Sequence, residues 1–175
     1  MIDQPRILIF TGDGKGKTTA ALGLALRAAG HGMQVLVIQF VKQDSEVGEI
    51  AAVESINNIK IVQTGLGFIP SQETPDFLTH CKAAQAGLAL AVGEIVSGIY
   101  DMVILDEICV AVARDLISES KVLNLLSELP DEIRIVMTGR GATPGLVNAA
   151  DTVSEICSVK HALADGRPAM KGVER

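Results

Sequence analysis

The chain has 175 residues, 48% of them hydrophobic but only 3% aromatic, with no Trp. A chain of this size can bury roughly 70% of the surface its unfolded form exposes, so neither disorder nor a disulfide-dependent miniature fold is expected. Fifteen Lys and Arg against 21 Asp and Glu give a formal net charge of −6, which disfavours a nucleic-acid duplex as partner.

In chain order, Arg6 to Thr11 is nearly all apolar and reads as a strand buried on both faces. A glycine-rich turn follows. Thr18 to about Ala29 reads as a helix, apolar nearly all round and therefore expected between core layers, with Gly30 and Gly32 ending it. Gln34 to Phe40 is a second buried strand and Ile59 to Val62 a short third. Gln63 to Pro75 is broken by Gly65, Gly67, Pro70 and Pro75, a loop long enough to suggest function. A helix is predicted from Asp76 to about Ser97, with Phe77, Cys81, Ala84, Leu88, Val92 and Ile95 on one face.

Met102 to Leu105 is the fourth strand and ends in Asp106-Glu107. Ser118 or Ser120 is placed to cap a helix running to about Glu128, before Pro130. Ile133 to Thr138 is a fifth strand, Pro144 to Ala150 a short helix, and Thr152 to Ser158 a last strand before a polar tail. Alternating strands and helices imply right-handed crossovers: an α/β fold with a mostly parallel sheet and helices on both faces, in one domain over residues 1–175. The separated Cys81, Cys109 and Cys157 form no CxxC pair and read as small buried thiols. The N-terminus lacks a signal-peptide pattern and no apolar run reaches spanning length, so a soluble, cytoplasmic protein with no membrane or nucleic-acid partner is expected.

The chemistry concentrates at three strand ends. Thr11-Gly-Asp-Gly-Lys-Gly-Lys-Thr-Thr19 lies between the first strand and the first helix. In that context glycines let successive N–H groups face phosphate oxygens, and the helix N-terminus adds partial positive charge. Gly12, Asp13, Gly14, Lys15, Gly16, Lys17, Thr18 and Thr19 are thus expected to bind a nucleoside triphosphate, with Lys17 on the phosphates and Thr18 on magnesium. The loop departs from GxxxxGK[ST]: Thr11 stands at the first glycine position, and counted from Gly12 the loop is one residue short. Asp106 and Glu107 end a buried strand where ligands sit in such sheets, and are candidate magnesium ligands, directly or through water. Arg140, in Thr138-Gly-Arg-Gly141, presents a planar fork suited to phosphate oxygens, and Lys42 has a similar standing. Of the histidines, His31 and His80 read as surface or packing residues, while His161 lies where it can approach a ligand.

These strings, with Gln39-Phe-Val-Lys42, Gly67-Phe68, Leu105-Asp-Glu107, Asp151-Thr-Val-Ser-Glu155, Val159-Lys-His-Ala162 and Gly172-Val-Glu174, resemble the ATP:corrinoid adenosyltransferases of cobalamin synthesis and salvage over nearly the whole chain. The resemblance implies a RecA-like phosphate-loop fold, a homodimer, and transfer of the 5′-deoxyadenosyl group of ATP to the cobalt of a reduced corrinoid with triphosphate leaving. A flavoprotein reductant is a further implied partner. By position it implies phosphates on Gly12–Thr19 and Arg140, magnesium on Thr18 and Glu107, and the corrinoid near Phe68. Lys17 and Arg140 become the catalytic cations. Cobalt(I) is itself a strong nucleophile, so no general base is required, which fits a sequence without a recognisable triad.

Two departures stand out. Relatives of this kind carry a Phe followed shortly by Trp under the corrin, whereas Ile69 and Pro70 follow Phe68 here. The first strand also begins close to the start of the sequence, so the N-terminal helix that some relatives place over the site is not expected here. On the residues alone, an ATP hydrolase or small-molecule kinase, with Glu107 orienting water or an acceptor, stays open. So does a non-catalytic, ATP-dependent corrinoid carrier.

Overall fold

The computed structural model describes residues 4–43 and 48–173, with only the backbone at 163 and 164. Glu174, part of the last family string, lies outside the described residues. The elements in chain order are β1 (Arg6–Thr11), α1 (Lys17–Gly30), β2 (Val35–Gln39), α2 (Gly48–Val53), β3 (Ile59–Gln63), α3 (Pro75–Val96) and β4 (Met102–Asp106). They continue with α4 (Ile108–Ala113), α5 (Glu119–Ser127), β5 (Arg134–Thr138), α6 (Pro144–Ala149), β6 (Thr152–Glu155) and a 3-10 turn (Ala162–Asp165).

The strands form one sheet in the order β3-β2-β4-β5-β1-β6, and every pairing is parallel. β2 and β4 are buried at every position, as strands covered on both faces must be. Alternate residues enter two separate cores. Leu36, Ile38, Val103, Leu105, Ile135 and Met137 face the side packed by α3, α4, α5 and α6. Val35, Val37, Met102, Ile104 and Val136 face Ala21, Ala25 and Ala28 of α1.

Four sequence expectations are corrected. α1 is not enclosed all round: beyond Lys17 at its start, the Ala21-Ala25-Ala28 stripe is the part that is buried, and Leu26 is 59% exposed. Small alanines let the helix lie close on the sheet, and one helical face meets one sheet face. In α3 the buried residues are Phe77, Ala84, Gly87, Leu88, Ala91 and Ile95, while Val92 is exposed. Gly87 lies on the inward face, where Thr64 and Phe40 occupy the space a side chain would need, so the buried stripe runs through Gly87 and Ala91 and leaves Val92 outside it. Ser118 precedes α5 but makes no side-chain cap bond. Only Cys109 is a fully buried thiol; Cys81 is half-buried and Cys157 exposed, all three free. The short α2 and α4 and the 3-10 turn escape periodicity, because one or two turns hold too few repeats to reveal a face.

Candidate functional site

β1 delivers the chain at Thr11 to a tight loop and then α1. A Cβ on Gly12 would lie 2.5 Å from the Ile156 carbonyl oxygen, and its φ of 93° suits glycine. The Gly14 N–H donates to that same carbonyl at 2.7 Å, so the loop rests on the segment leaving β6. Thr11 belongs to the strand and needs no glycine conformation; its hydroxyl accepts from the Ala142 N–H at 3.4 Å, joining the loop to the turn after β5.

Lys17 opens α1 and is 7% exposed, its Nζ donating to the Gly14 carbonyl at 2.7 Å. Burial lowers its pKa, opposed by Glu107 and more weakly Asp13, and reinforced by Arg140. Arg140 is exposed at the rim, its Nη2 3.5 Å from the Asp13 carbonyl and its Nε 3.8 Å from the Asp13 carboxylate.

Asp106 is wholly buried at the end of β4. Its Oδ1 accepts from the Thr18 hydroxyl at 2.8 Å and the Thr138 hydroxyl at 2.7 Å. Its Oδ2 accepts from Gln39 Nε2 at 3.1 Å and lies 3.5 Å from Lys42 Nζ. Gln39 is held in turn by Gln63, whose Nε2 donates to Gln39 Oε1 at 2.9 Å. Glu107 adopts φ 65°, and its N–H donates to the Thr138 hydroxyl at 2.9 Å. Gly139 is needed beside it, since a Cβ there would lie 2.8 Å from the Val110 nitrogen and 3.2 Å from Glu107 Oε2. Burial, then Asp106, raises the Glu107 pKa, partly offset by Lys17, Lys42 and Arg140. Lys42 also pairs with Glu49 of α2 at 3.0 Å; burial alone would lower its pKa, but Asp106 and Glu49 leave it raised.

Of these residues, Asp13, Gly14, Lys17, Thr18, Lys42, Glu49, Glu107 and Arg140 border a cleft of about 970 Å³. Residues 13–19, Lys42, Glu107 and Arg140 give it polar walls, and Leu22, Val110 and Val173 an apolar one. His161 reaches it, while His31 and His80 do not line it. Phe68 is not part of this lining; it is 92% exposed, whereas Ile69 beside it is buried. The Phe68 loop is rooted at the cleft wall: Thr64 N–H and Gly65 N–H donate to the Gln39 carbonyl at 3.0 and 3.1 Å, and Gly67 N–H to the Val41 carbonyl at 2.7 Å. Sequence reasoning gave Gln39 and Thr138 no role, and missed Gln63 and Glu49 altogether. The available signal was a single polar residue closing an apolar strand, as in Val-Leu-Val-Ile-Gln39 and Ile-Val-Met-Thr138.

Among the described residues, no cluster of three or more His, Cys, Asp or Glu could hold a metal. A hydroxyl and one or two carboxylates suit magnesium, which keeps waters and takes phosphate oxygens as ligands. Of the three candidates, Thr18 and Glu107 border the cleft, while Asp106 already accepts bonds on both oxygens.

A glycine-rich loop between β1 and α1 of an all-parallel sheet, facing acids at the end of β4, defines a RecA-like phosphate-loop protein. The KaiC-like protein PH0186 of Pyrococcus horikoshii shares this fold, with a TM-score of 0.50 at 16% identity over 87% of this chain and 71% of that one. The chain belongs to the family ATP:corrinoid adenosyltransferase BtuR/CobO/CobP, whose model matches residues 3–175. It is 37% identical to the corrinoid adenosyltransferase of Pseudomonas aeruginosa over 169 residues, covering 96% of this chain and 82% of that protein. It is 36% identical to the corrinoid adenosyltransferase CobA of Salmonella typhimurium, at 96% and 84% coverage. The corrinoid adenosyltransferase of Escherichia coli K12 is 37% identical over 175 residues.

Proposed function

We infer that this protein transfers the 5′-deoxyadenosyl group of ATP to cobalt(I) of a reduced corrinoid and releases triphosphate. The observation that carries this reading is the family match over residues 3–175, whose span includes the phosphate loop and the Thr138–Gly141 turn at one cleft. In the transfer, the cobalt(I) electron pair forms a bond to C5′ while the C5′–O bond breaks. The bonding pair leaves with the triphosphate, and cobalt becomes formally cobalt(III).

The protein's work is then alignment and charge. Gly12–Thr19 would cradle the phosphates, Lys17 would neutralise them from within the loop, and Arg140 would close over the rim. Magnesium, held by Thr18 and Glu107, would neutralise phosphate charge when bound. Asp106 would orient the Thr18 hydroxyl rather than enter the ion's coordination itself. Phe68, projecting from a loop rooted beside the cleft, would meet the corrinoid. One domain over residues 1–175, a homodimer, a cytoplasmic location and a flavoprotein reductant complete the proposal. Among the described residues, no helix is long and apolar enough to cross a membrane.

The test is incubation with ATP, magnesium and chemically reduced corrinoid, following the visible spectrum. A cobalt–carbon bond should form at a rate proportional to enzyme. No spectral change beyond the enzyme-free control would refute the reading.

A further inference from the structure

Lys42 occupies a position that the proposed chemistry does not yet use. Its Nζ lies 3.0 Å from Glu49 Oε1 and 3.5 Å from Asp106 Oδ2. The other oxygen of Asp106 accepts the Thr18 hydroxyl at 2.8 Å. One buried carboxylate therefore carries the candidate metal-binding hydroxyl on one side and an ammonium on the other. Lys42 also lines the cleft, and its side chain is 29% exposed, so its flexible stem has somewhere to go.

Charge decides where it goes. A dication at Thr18 sets two positive charges against a carboxylate that Lys42 already shares, so the ammonium and the metal repel across it. A triphosphate brings several negative charges into the same space. Both changes push the ammonium in one direction, away from Asp106 and onto phosphate oxygens.

We propose that Lys42 is an exchanging cation: it neutralises Asp106 and Glu49, and transfers to the phosphate chain when a magnesium triphosphate enters. There it joins Lys17 and Arg140 in holding the charge that grows on the leaving oxygen. This rests on the nucleotide reading above. The competing role is a fixed ion pair that pins α2 to β4.

The test compares the full chain with Lys42→Met, Lys42→Arg and Glu49→Gln, with Lys17→Ala as a control on the phosphate loop. Manganese alone is titrated by electron paramagnetic resonance, and inorganic triphosphate with magnesium by calorimetry. Removing the competing ammonium should tighten manganese about tenfold in Lys42→Met, and losing a charge-assisted contact should weaken triphosphate about tenfold or more. Lys42→Arg should retain most of the triphosphate affinity. Glu49→Gln should tighten triphosphate, because it frees Lys42 from a partner.

Equal weakening of triphosphate in Lys42→Met and Glu49→Gln would establish the pin and overturn the exchange. Unchanged manganese and triphosphate binding in Lys42→Met would overturn it too. If manganese tightens in Lys42→Met while triphosphate is unaffected, the transfer onto phosphate is refuted. Failure of the nucleotide reading shows differently: the unsubstituted chain and Lys17→Ala would both lack saturable triphosphate binding.

Discussion

Thr18 and Asp106 are 88 residues apart in the chain and joined by a 2.8 Å hydrogen bond. The same Asp106 oxygen takes the Thr138 hydroxyl at 2.7 Å, so the ends of β4 and β5 and the start of α1 meet at one buried atom. The hydroxyl proposed to bind magnesium is thereby held by a carboxylate that solvent does not reach.

Removing that hydroxyl should affect the metal before the nucleotide. Thr18→Ala is expected to raise the magnesium concentration needed for half-maximal ATP binding, while Thr18→Ser retains it. Magnesium titrations monitored by calorimetry check this. Identical magnesium dependence in both variants would remove Thr18 from the metal site.

Asp106 should matter for folding as well as for the site. Asp106→Asn replaces one acceptor oxygen with a donor facing Gln39 and Lys42, or Thr18 and Thr138, at a fully buried position. The expected loss is about 1–3 kcal/mol of stability. Urea unfolding measures it, and an unchanged midpoint would show that Asp106 is not the anchor described here.

How far the site was legible in the sequence follows from these contacts. The phosphate loop stood out because glycines, a lysine and a threonine lie together in one string. Asp106 and Glu107 stood out because they close the apolar run of β4. Gln39 did not stand out as a partner of Asp106, because that contact needs the register that pairs Gln39 with Asp106 across β2 and β4. Glu49 lies on a two-turn helix too short to show a face. The reading of α1 as enclosed failed for a related reason: composition reports that a helix is apolar, but not how many of its faces find a partner.

Lys17→Ala should lower adenosyl transfer by roughly 10²–10³-fold, the scale of losing a preorganised charge contact. The side chain is nearly buried, so circular dichroism and unfolding must first show an intact fold. A rate within a fewfold of the unsubstituted enzyme would exclude Lys17 from charge stabilisation.

Phe68 offers a separation of function from folding. At 92% exposure its removal leaves the core untouched, so Phe68→Ala should keep both stability and ATP affinity. Reaction should be impaired chiefly with corrinoids that carry a lower axial base. Comparing rates on corrinoids with and without that base checks the assignment, and equal rates on both would detach Phe68 from the corrinoid.

Attack at C5′ rather than at phosphorus is the claim on which the rest depends, and phosphorus NMR of the complete reaction tests it most directly. The account predicts inorganic triphosphate and adenosylated corrinoid in equal amounts, no ADP, and very slow loss of ATP when reduced corrinoid is omitted. A spectrum dominated by ADP and phosphate, with or without corrinoid, would contradict it and make the protein a hydrolase or kinase.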